Sequence, residues 1–240
     1  MKKIILFLVV LIAVGGGYLF LNYSHVEAPK IDEQQINNTD TNKYLIVSSS
    51  TKEIIKDFYN IKVDFPVTNN ENINSEINKE VDRLVSDFEK NAIDFGPIPS
   101  DFFRPYTLFG QFESHLGQKY DSFVFLTSVD FGGAHPNHFY KTLTFDKESN
   151  IVSIDDFLKK EFPDKNVLNK ISELAQAKIA ENLGENANFE MIKDGAGPDI
   201  NNFRNFYIAD QEIIFLFEPY AVAPYAYSSQ QARIKLSEIF

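Results

Sequence analysis

SFVFLTSVDFGGAHPNHFYKTLTF, residues 122–145, is the stretch of this 240-residue chain that decides the fold. Residues 122–131 and 138–145 are rich in β-branched and aromatic side chains, which predicts two strands, and the glycines between them predict a turn. So short a connection favours antiparallel pairing. The first strand is apolar on both faces, so it is predicted to be buried on both sides. One face carries Phe123, Phe125, Thr127 and Val129, and the other carries Val124, Leu126 and Ser128.

Further strands are predicted on both sides of this stretch. Residues 108–114 precede it, and residues 146–150 form a hairpin loop after which the next two residues resume the strand. Earlier in the chain, apolar and polar residues alternate over 61–65, as in a half-buried strand that ends at Pro66. Three short strands are predicted to close the chain, at 206–208, 212–217 and 231–236.

Two amphipathic helices are predicted from apolar residues at three- and four-residue spacing. The first covers residues 72–93 and is expected to begin at a cap on Asn74 or Ser75. The second covers about 164–183 and stops at Gly184, a residue type that favours helix ends. Their apolar stripes consist of Ile73, Ile77, Val81, Leu84, Val85 and Phe88 in the first and Leu168, Ile171, Leu174, Ala175, Ile179 and Leu183 in the second.

These elements together predict the fold class. Asp155 is expected to cap a further short helix, and residues 185–202 are expected to be irregular. Strand and helix groups joined by short loops indicate the α+β class: an antiparallel sheet with helices packed on one face, preceded by an N-terminal apolar helix. A Gly-Pro-Ile-Pro break at 96–99 predicts a boundary between a small α+β subdomain at 44–100 and a larger α+β domain at 101–240.

The N-terminal segment, residues 1–21, predicts export. Two lysines precede residues 4–21, an uncharged apolar run that spans roughly 27 Å as a helix, close to the thickness of a hydrocarbon core. Positive residues before such a run stay in the cytoplasm, so the rest of the chain is predicted to lie outside, joined by a polar linker at 22–43. The length favours an uncleaved single-pass membrane anchor. The alternative is a cleaved signal peptide, disfavoured by Pro29 after the cut, which would give a secreted protein.

Composition and charge exclude several function classes. The chain has 34 Asp and Glu against 23 Lys and Arg, a formal net charge of −11. Such a surface repels phosphate backbones, so no nucleic-acid partner is expected, whereas a basic protein would be attracted. The chain has no cysteine, which excludes disulfides, thiolate metal sites and a cysteine nucleophile. A G-x-S-x-G nucleophile elbow is also absent, and the glycines at 195–197 lack the lysine of a phosphate-binding loop.

Three segments carry a resemblance to a known family. They are FGGAHP at 131–136 with the residues that follow it to 157, IIFLFEPYAVAPY at 213–225, and the strand at 61–65 with the helix at 72–93. Over residues 44–240 the chain resembles the extracytoplasmic region shared by the peptidoglycan deacetylase PdaC and the lysozyme-sensing anti-sigma factor RsiV. Ser228 and Ser229 stand where members of that family often carry glycine.

The resemblance implies the fold and a role in binding at the cell envelope, with peptidoglycan or lysozyme as the partner. We do not expect deacetylase activity, because the catalytic domain of PdaC has no counterpart in this chain. We do not expect anti-sigma activity either, because the three residues before the apolar run cannot replace the sigma-binding segment of RsiV.

Two histidines, His135 and His138, are candidate ligand contacts. They are three residues apart and could share a metal ion only with a further ligand. Asp130, His115 and Glu113 are available, but the spacing selects none of them, so no metal and no other cofactor is expected. The alternative is structural, with the glycines supplying unusual backbone angles and the imidazole of His135 bonding to backbone groups.

Three tyrosines, Tyr220, Tyr225 and Tyr227, are the other candidate ligand contacts. Tyrosine offers a large contact area and a hydroxyl group at a low cost in conformational entropy. The alternative is a rigid proline-containing loop that packs on the edge of the sheet.

These observations lead to a ranked pair of functional hypotheses. The first is a membrane-anchored, extracytoplasmic, non-enzymatic protein that binds a cell-envelope ligand, either a wall glycan or a protein such as lysozyme. The second is a wall-active enzyme, of the peptidoglycan deacetylase or hydrolase type, with its site near His135. A purely structural spacer domain is a third possibility.

Overall fold

Strands occupy two separate sheets in the computed structural model, which describes residues 46–97, 104–163 and 167–239. The first sheet contains, in chain order, β1 (Ile46–Ile55), β2 (Tyr59–Thr68), β3 (Tyr106–Leu116), β4 (Tyr120–Asp130) and β5 (Asn137–Asp146). The second contains β6 (Phe206–Ala209), β7 (Glu212–Phe217) and β8 (Gln230–Lys235). The strands predicted at 61–65, 108–114, 122–131, 138–145, 206–208, 212–217 and 231–236 are therefore confirmed, with changes at their ends. The strand predicted to resume after 146–150 is only an isolated bridge between Phe145 and Ile151.

The first sheet is mixed rather than antiparallel. β2 and β3 run parallel, with Tyr59 opposite Tyr106 and Val63 opposite Gly110, while the other neighbouring pairs are antiparallel. The chain between these two strands forms helix α1 (Glu71–Phe95), and a crossover of this length returns the chain to the end of the sheet from which β2 began. The prediction of an antiparallel sheet is wrong at this pair, because the connection is a helix and not a hairpin.

Helix α1 confirms the helix predicted at 72–93, and its apolar stripe packs on one face of the first sheet. Each fully buried aliphatic or aromatic side chain contributes about 1.5–3 kcal/mol of hydrophobic stabilisation. This core contains Ile73, Ile77, Val81, Val85 and Phe88 from α1 and Ile61, Val63, Leu108, Phe123 and Phe125 from the sheet.

The cap of α1 lies upstream of both predicted positions. Asn70 is the cap, and its side-chain oxygen accepts a hydrogen bond from the Ile73 N–H at 3.1 Å. The side chain of Asn74 instead accepts from the Thr68 N–H at 2.8 Å and donates to the Thr68 carbonyl at 2.8 Å. The prediction of Asn74 or Ser75 is wrong, because the amide of Asn74 holds the end of β2 against the helix.

Strand β2 continues through Pro66 to Thr68, so the prediction that Pro66 ends the strand is wrong. Pro66 lies opposite Ser49 of β1, whereas β3 pairs with β2 only as far as Val63. No hydrogen bond to β3 is lost at the proline, and strands tolerate proline where its missing N–H is not needed.

Three shorter helices follow the first sheet: α2 (Ile154–Glu161), α3 (Leu168–Leu183) and α4 (Phe189–Gly195). Helix α3 confirms the second predicted helix and ends at Gly184, whose φ is +56°. Helix α2 is capped by Ser153, which forms a capping box with Asp156, so the prediction of Asp155 as the cap is wrong. Helix α4 lies within 185–202, a region predicted to be irregular, because seven residues are too few to give a clear periodic pattern.

The second sheet packs against α3 on one face and contacts the first sheet through the other. Its core with α3 contains Ile171, Ala175, Ile179, Ile213, Phe215 and Ile234. On the opposite face, Ile214 and Leu216 pack with Val124 of β4 and Tyr207 of β6. Strand β4 is therefore buried on both sides as predicted from Tyr120 to Phe125, and Leu126 is exposed.

Hydroxyl groups of the first sheet hold the edge of the second. The N–H of Ile208 donates to Ser122 Oγ at 3.1 Å, and the N–H of Phe206 donates to Thr142 Oγ1 at 3.0 Å. Both amides belong to β6, an edge strand whose outward N–H groups would otherwise lack partners. The two sheets are thus connected by specific hydrogen bonds as well as by apolar contact.

The α+β class is confirmed, with a mixed five-stranded sheet and a smaller second sheet in place of the single antiparallel one. The division between 44–100 and 101–240 stays a prediction, and strands from both segments share the first sheet through the β2–β3 pair. No helix in the described part of the chain is long and apolar enough to cross a membrane. The predicted anchor at 1–21 and linker at 22–43 lie outside the described residues.

Candidate functional site

Two loops that are distant in sequence meet at one end of the first sheet. One is the β4–β5 loop at 131–136, and the other is the segment at 218–227 that follows β7. The His135 ring stacks on the Tyr225 ring with centroids 3.7 Å apart and planes inclined by 18°. The Tyr225 hydroxyl donates to the Pro136 carbonyl at 2.9 Å. The two motifs that carry the sequence resemblance therefore form a single surface.

The β4–β5 loop is held by its own polar contacts. Gly132 has a φ of +81°, a backbone conformation that favours glycine, and its N–H donates to Asp130 Oδ1 at 2.7 Å. Arg104 forms an ion pair with Asp130 at 3.2 Å and donates to the Gly133 carbonyl at 3.1 Å. The loop thus presents His135 from a supported backbone.

The segment at 218–227 packs closely on the end of helix α4 and on the core of the second sheet. Val222 and Ala223 are buried in the core of the second sheet. A side chain at Gly195, the last residue of α4, would place its Cβ 1.8 Å from the Ala221 carbonyl oxygen. Only glycine therefore fits at position 195, where α4 ends. This close packing explains Gly195, which does not belong to a phosphate-binding loop.

Tyr220 extends the ring stack into solvent. Its ring centroid lies 5.6 Å from that of Tyr225, and the residue is 59% exposed. Its φ is +69°, an uncommon conformation for a bulky residue, which costs on the order of 1–3 kcal/mol. We call the surface formed by His135, Tyr225 and Tyr220 the aromatic face.

The other two predicted contacts lie beside the aromatic face rather than in it. His138 is half-buried on β5, and its pKa is lowered by burial and by the charge of His135. Tyr227 donates its hydroxyl to the side-chain oxygen of Asn186 at 3.0 Å, outside the ring stack. The structure thus brings together three of the five predicted residues and leaves His138 and Tyr227 outside the ring stack.

The additional metal ligands considered from the sequence have other partners. His115 stacks on Tyr207 with ring centroids 4.1 Å apart, and its Nε2 lies 3.7 Å from Glu113. Asp130 is paired with Arg104. Across residues 46–97, 104–163 and 167–239, no three His, Asp or Glu side chains are placed so that they could hold a metal ion.

A cleft of about 660 Å³ adjoins the aromatic face and was not predicted from the sequence. It lies over the part of the first sheet next to α1, and residues 204–205 and Glu218 form its far wall. Its polar and charged lining includes Arg83, Asp87, Asn91, Asn137, Lys141, Arg204, Asn205 and Glu218. The cleft could not be predicted from one segment, because its walls come from α1, from β3, β4 and β5, and from the residues before β6 and after β7.

Glu218 joins two walls of the cleft. Its Oε1 accepts from the Tyr140 N–H of β5 at 3.3 Å and from the side-chain amide of Asn205 at 3.5 Å. Glu218 begins the segment at 218–227 and Asn137 directly follows the β4–β5 loop, so the cleft borders the aromatic face.

Comparison with known proteins places this chain near a wall-modifying enzyme and an uncharacterised domain family. Residues 155–237 match the family DUF3298, described as a protein of unknown function. The chain is 27% identical over 180 residues to the peptidoglycan-N-acetylmuramic acid deacetylase PdaC of Bacillus subtilis (strain 168), covering 75% of this chain and 38% of PdaC. The predicted resemblance to the family that includes PdaC is confirmed.

Two solved structures of the DUF3298 family match this chain. The one from Bacteroides fragilis NCTC 9343 has a TM-score of 0.51 and 14% identity, and the match covers 79% of this chain and 90% of that chain. The one from Pseudomonas aeruginosa PAO1 has a TM-score of 0.43 and 13% identity, and the match covers 83% and 93%. The first of these supports the fold and does not extend to function.

Proposed function

We propose that this chain is an extracytoplasmic, non-enzymatic protein that binds a cell-envelope ligand through its aromatic face. The match to DUF3298 and the likeness to a peptidoglycan-modifying enzyme support a role at the cell wall. The apolar run at 4–21 supports a single-pass membrane anchor that keeps the described region outside.

The exposed and strained Tyr220 is the observation that carries this proposal. An aromatic ring that is 59% exposed gains little from burial, yet its backbone adopts a costly left-handed conformation. The positive φ belongs to the turn at 218–221, which the Ala221 N–H closes on the Glu218 carbonyl at 3.0 Å, and this turn holds the ring at the surface. A ring held exposed in this way is suited to contact a ligand, since rigid exposed tyrosines are effective binding groups.

The ligand is either a wall glycan or a protein such as lysozyme, and the two require different chemistry. Stacked aromatic rings offer flat apolar area that suits the faces of sugar rings. The formal net charge of −11 favours encounter with a basic protein. Binding to a protein through charge alone would weaken as salt screens it, whereas contact through the rings would persist.

The test uses the full chain and two probes, purified peptidoglycan sacculi in sedimentation and lysozyme in calorimetry, both at physiological salt. Tyr220→Asn removes the ring but keeps a residue that tolerates positive φ. We expect it to weaken binding to the true ligand by at least about tenfold. Phe189→Ala, at an apolar residue that is 73% exposed on α4, is the matched control and should bind like the unmodified protein.

Each outcome of this test is informative. Binding to one probe that depends on Tyr220 identifies the ligand class. Equal binding of both variants and the unmodified protein would show that the aromatic face makes no contact. No binding to either probe would overturn the proposed function.

A wall-active enzyme near His135 is the second proposal. The lowered pKa of His138 supports it, because a neutral imidazole at neutral pH can accept a proton. Against it, neither histidine forms a hydrogen bond to a carboxylate within the described residues. Release of acetate or of new reducing ends from peptidoglycan fragments would support an enzyme. Activity that survives in His135→Phe, which retains the ring stack, would exclude His135 as a catalytic residue.

A further inference from the structure

We propose that the cleft beside the aromatic face binds a saccharide that carries a free carboxylate, as an N-acetylmuramic acid unit freed of its stem peptide does. This inference rests on the proposed function and deepens it by naming a second binding surface and a ligand class. The cleft volume of about 660 Å³ lies in the range of about 300–1,000 Å³ that is usual for ligand sites.

Arg204 is the cation that the cleft offers to a carboxylate. Arg83 is already bound to Glu80 at 2.5 Å and to Asp87 at 2.8 Å, so its charge is neutralised inside the protein. Lys141 lies 4.0 Å from Glu80. Arg204 is exposed and forms no hydrogen bond or ion pair with any described residue. A guanidinium binds a carboxylate through two parallel hydrogen bonds.

The two acids that line the cleft do not oppose this assignment. Asp87 accepts from the Arg83 guanidinium at 2.8 Å. Glu218 accepts from the Tyr140 N–H and from the Asn205 amide. Both carboxylates therefore accept hydrogen bonds from groups of the protein, and Arg204 is the cation of the cleft without such a partner among the described residues.

Apolar rings and free amide groups supply the other contacts that a sugar needs. Phe139 lines the cleft and is 43% exposed, and the half-buried Phe131 lines it on top of the buried Phe88, with ring centroids 5.1 Å apart. Asn91 donates to the Asp87 carbonyl at 2.9 Å, which leaves its side-chain oxygen available. The side chain of Asn137 is exposed beside it and can bond to hydroxyl or acetamido groups.

The position of the cleft gives it a role in binding a polymer. It borders the aromatic face near Asn137 and Glu218, so we expect one glycan strand to reach both surfaces. Two linked contacts on one ligand raise the overall affinity without either being strong by itself. We therefore expect a disaccharide to bind weakly and longer glycan strands freed of their stem peptides to bind more tightly.

The test compares two disaccharides in calorimetric titrations of the full chain. N-acetylglucosaminyl-N-acetylmuramic acid carries the carboxylate, and diacetylchitobiose has the same two-ring size without it. We expect Arg204→Ala to weaken binding of the first by about tenfold and to leave binding of the second unchanged. Lys170→Ala, which removes an exposed positive charge on α3, is the matched control. Arg204→Lys should fall between, because it keeps the charge without the paired donors.

Failure of this inference differs from failure of the proposed function. Equal affinity of Arg204→Ala and the unmodified protein for the muramic acid disaccharide would overturn the cleft assignment, and so would equal affinity of the unmodified protein for the two disaccharides. Binding to sacculi that depends on Tyr220 would still support the proposed function in either case. Arg204 is exposed, and circular dichroism of Arg204→Ala provides the check that the fold is retained.

Discussion

The two sides of the first sheet are held by different kinds of contact. On one side, the long helix α1 buries a continuous apolar stripe against Phe123 and Phe125. On the other side, β6 is held through hydrogen bonds to Ser122 and Thr142, and the short helices α2 and α4, each with its own side-chain cap, precede it in the chain. Apolar packing is non-directional, whereas hydrogen bonds fix position and orientation. The aromatic face and the cleft wall at 204–205 belong to the side that is fixed by directed contacts.

Truncation of the apolar side should have the largest effect. Phe123 is fully buried between α1 and the sheet, so Phe123→Ala removes its transfer energy and leaves a cavity. We expect the free energy of unfolding to fall by about 3–5 kcal/mol, measured by urea denaturation. Leu126→Ala on the same strand, at a residue that is 37% exposed, should cost far less. A loss in Phe123→Ala no greater than that in Leu126→Ala would contradict the proposed core.

Removal of one hydroxyl on the other side should have an intermediate effect. Ser122→Ala leaves the Ile208 N–H buried without its acceptor and also removes the 3.0 Å contact with Thr144 Oγ1. We expect the free energy of unfolding to fall by about 1–3 kcal/mol. Protection from hydrogen exchange should be lost first at the Ile208 amide. Ser128→Ala, on the same strand and face without a side-chain hydrogen bond, is the control. Retained protection of the Ile208 amide would mean that another acceptor replaces Ser122.

The smallest effect is expected at the cap of α2, which is exposed. Hydrogen bonds from the Ser153 hydroxyl and backbone lower the pKa of Asp156. A lowered pKa in the folded state gives a contribution to stability that is present above the unfolded pKa and is lost as pH falls through the folded pKa. Ser153→Ala should therefore raise the Asp156 pKa toward its ordinary value, as measured by NMR titration.

The stability difference between this variant and the unmodified protein should then shrink as the solution is acidified. If the Asp156 carboxyl titrates at the same pH in both proteins, the Ser153 hydroxyl is not the cause of its lowered pKa.

Local patterns in the sequence predicted the elements well and their ends less well. The stripe of α1 and the two-sided apolar strand β4 follow from periodicity within a single segment. The predicted caps lie a few residues from the observed ones, because several polar side chains near the start of a helix can accept the capping hydrogen bond. The other hydrogen bonds that these side chains form determine which of them is the cap. The side chain of Asn74 is hydrogen-bonded to Thr68, so Asn70 is the cap. Helix α4 was missed because seven residues give too short a pattern.

The candidate site was predicted in part. The two motif-bearing loops contributed His135, Tyr225 and Tyr220, which do come together. Tyr227 shares a short helical turn with Tyr225 but donates to Asn186, and sequence spacing could not separate the two roles. The sequence did not predict Arg204 as a binding residue, because an isolated arginine is recognised as one only by the cleft that surrounds it in the fold.

The sequence by itself determined the α+β class, the long helix, the central strands and the acidic, cysteine-free character of the chain. Each of these depends on residue type and on spacing within one segment, where side-chain direction follows from the backbone repeat. Only the tertiary structure decided the parallel β2–β3 pair, the stacking of His135 on Tyr225 and the cleft that contains Arg204. These depend on contacts between residues far apart in the chain, which are selected by the packing of the whole domain.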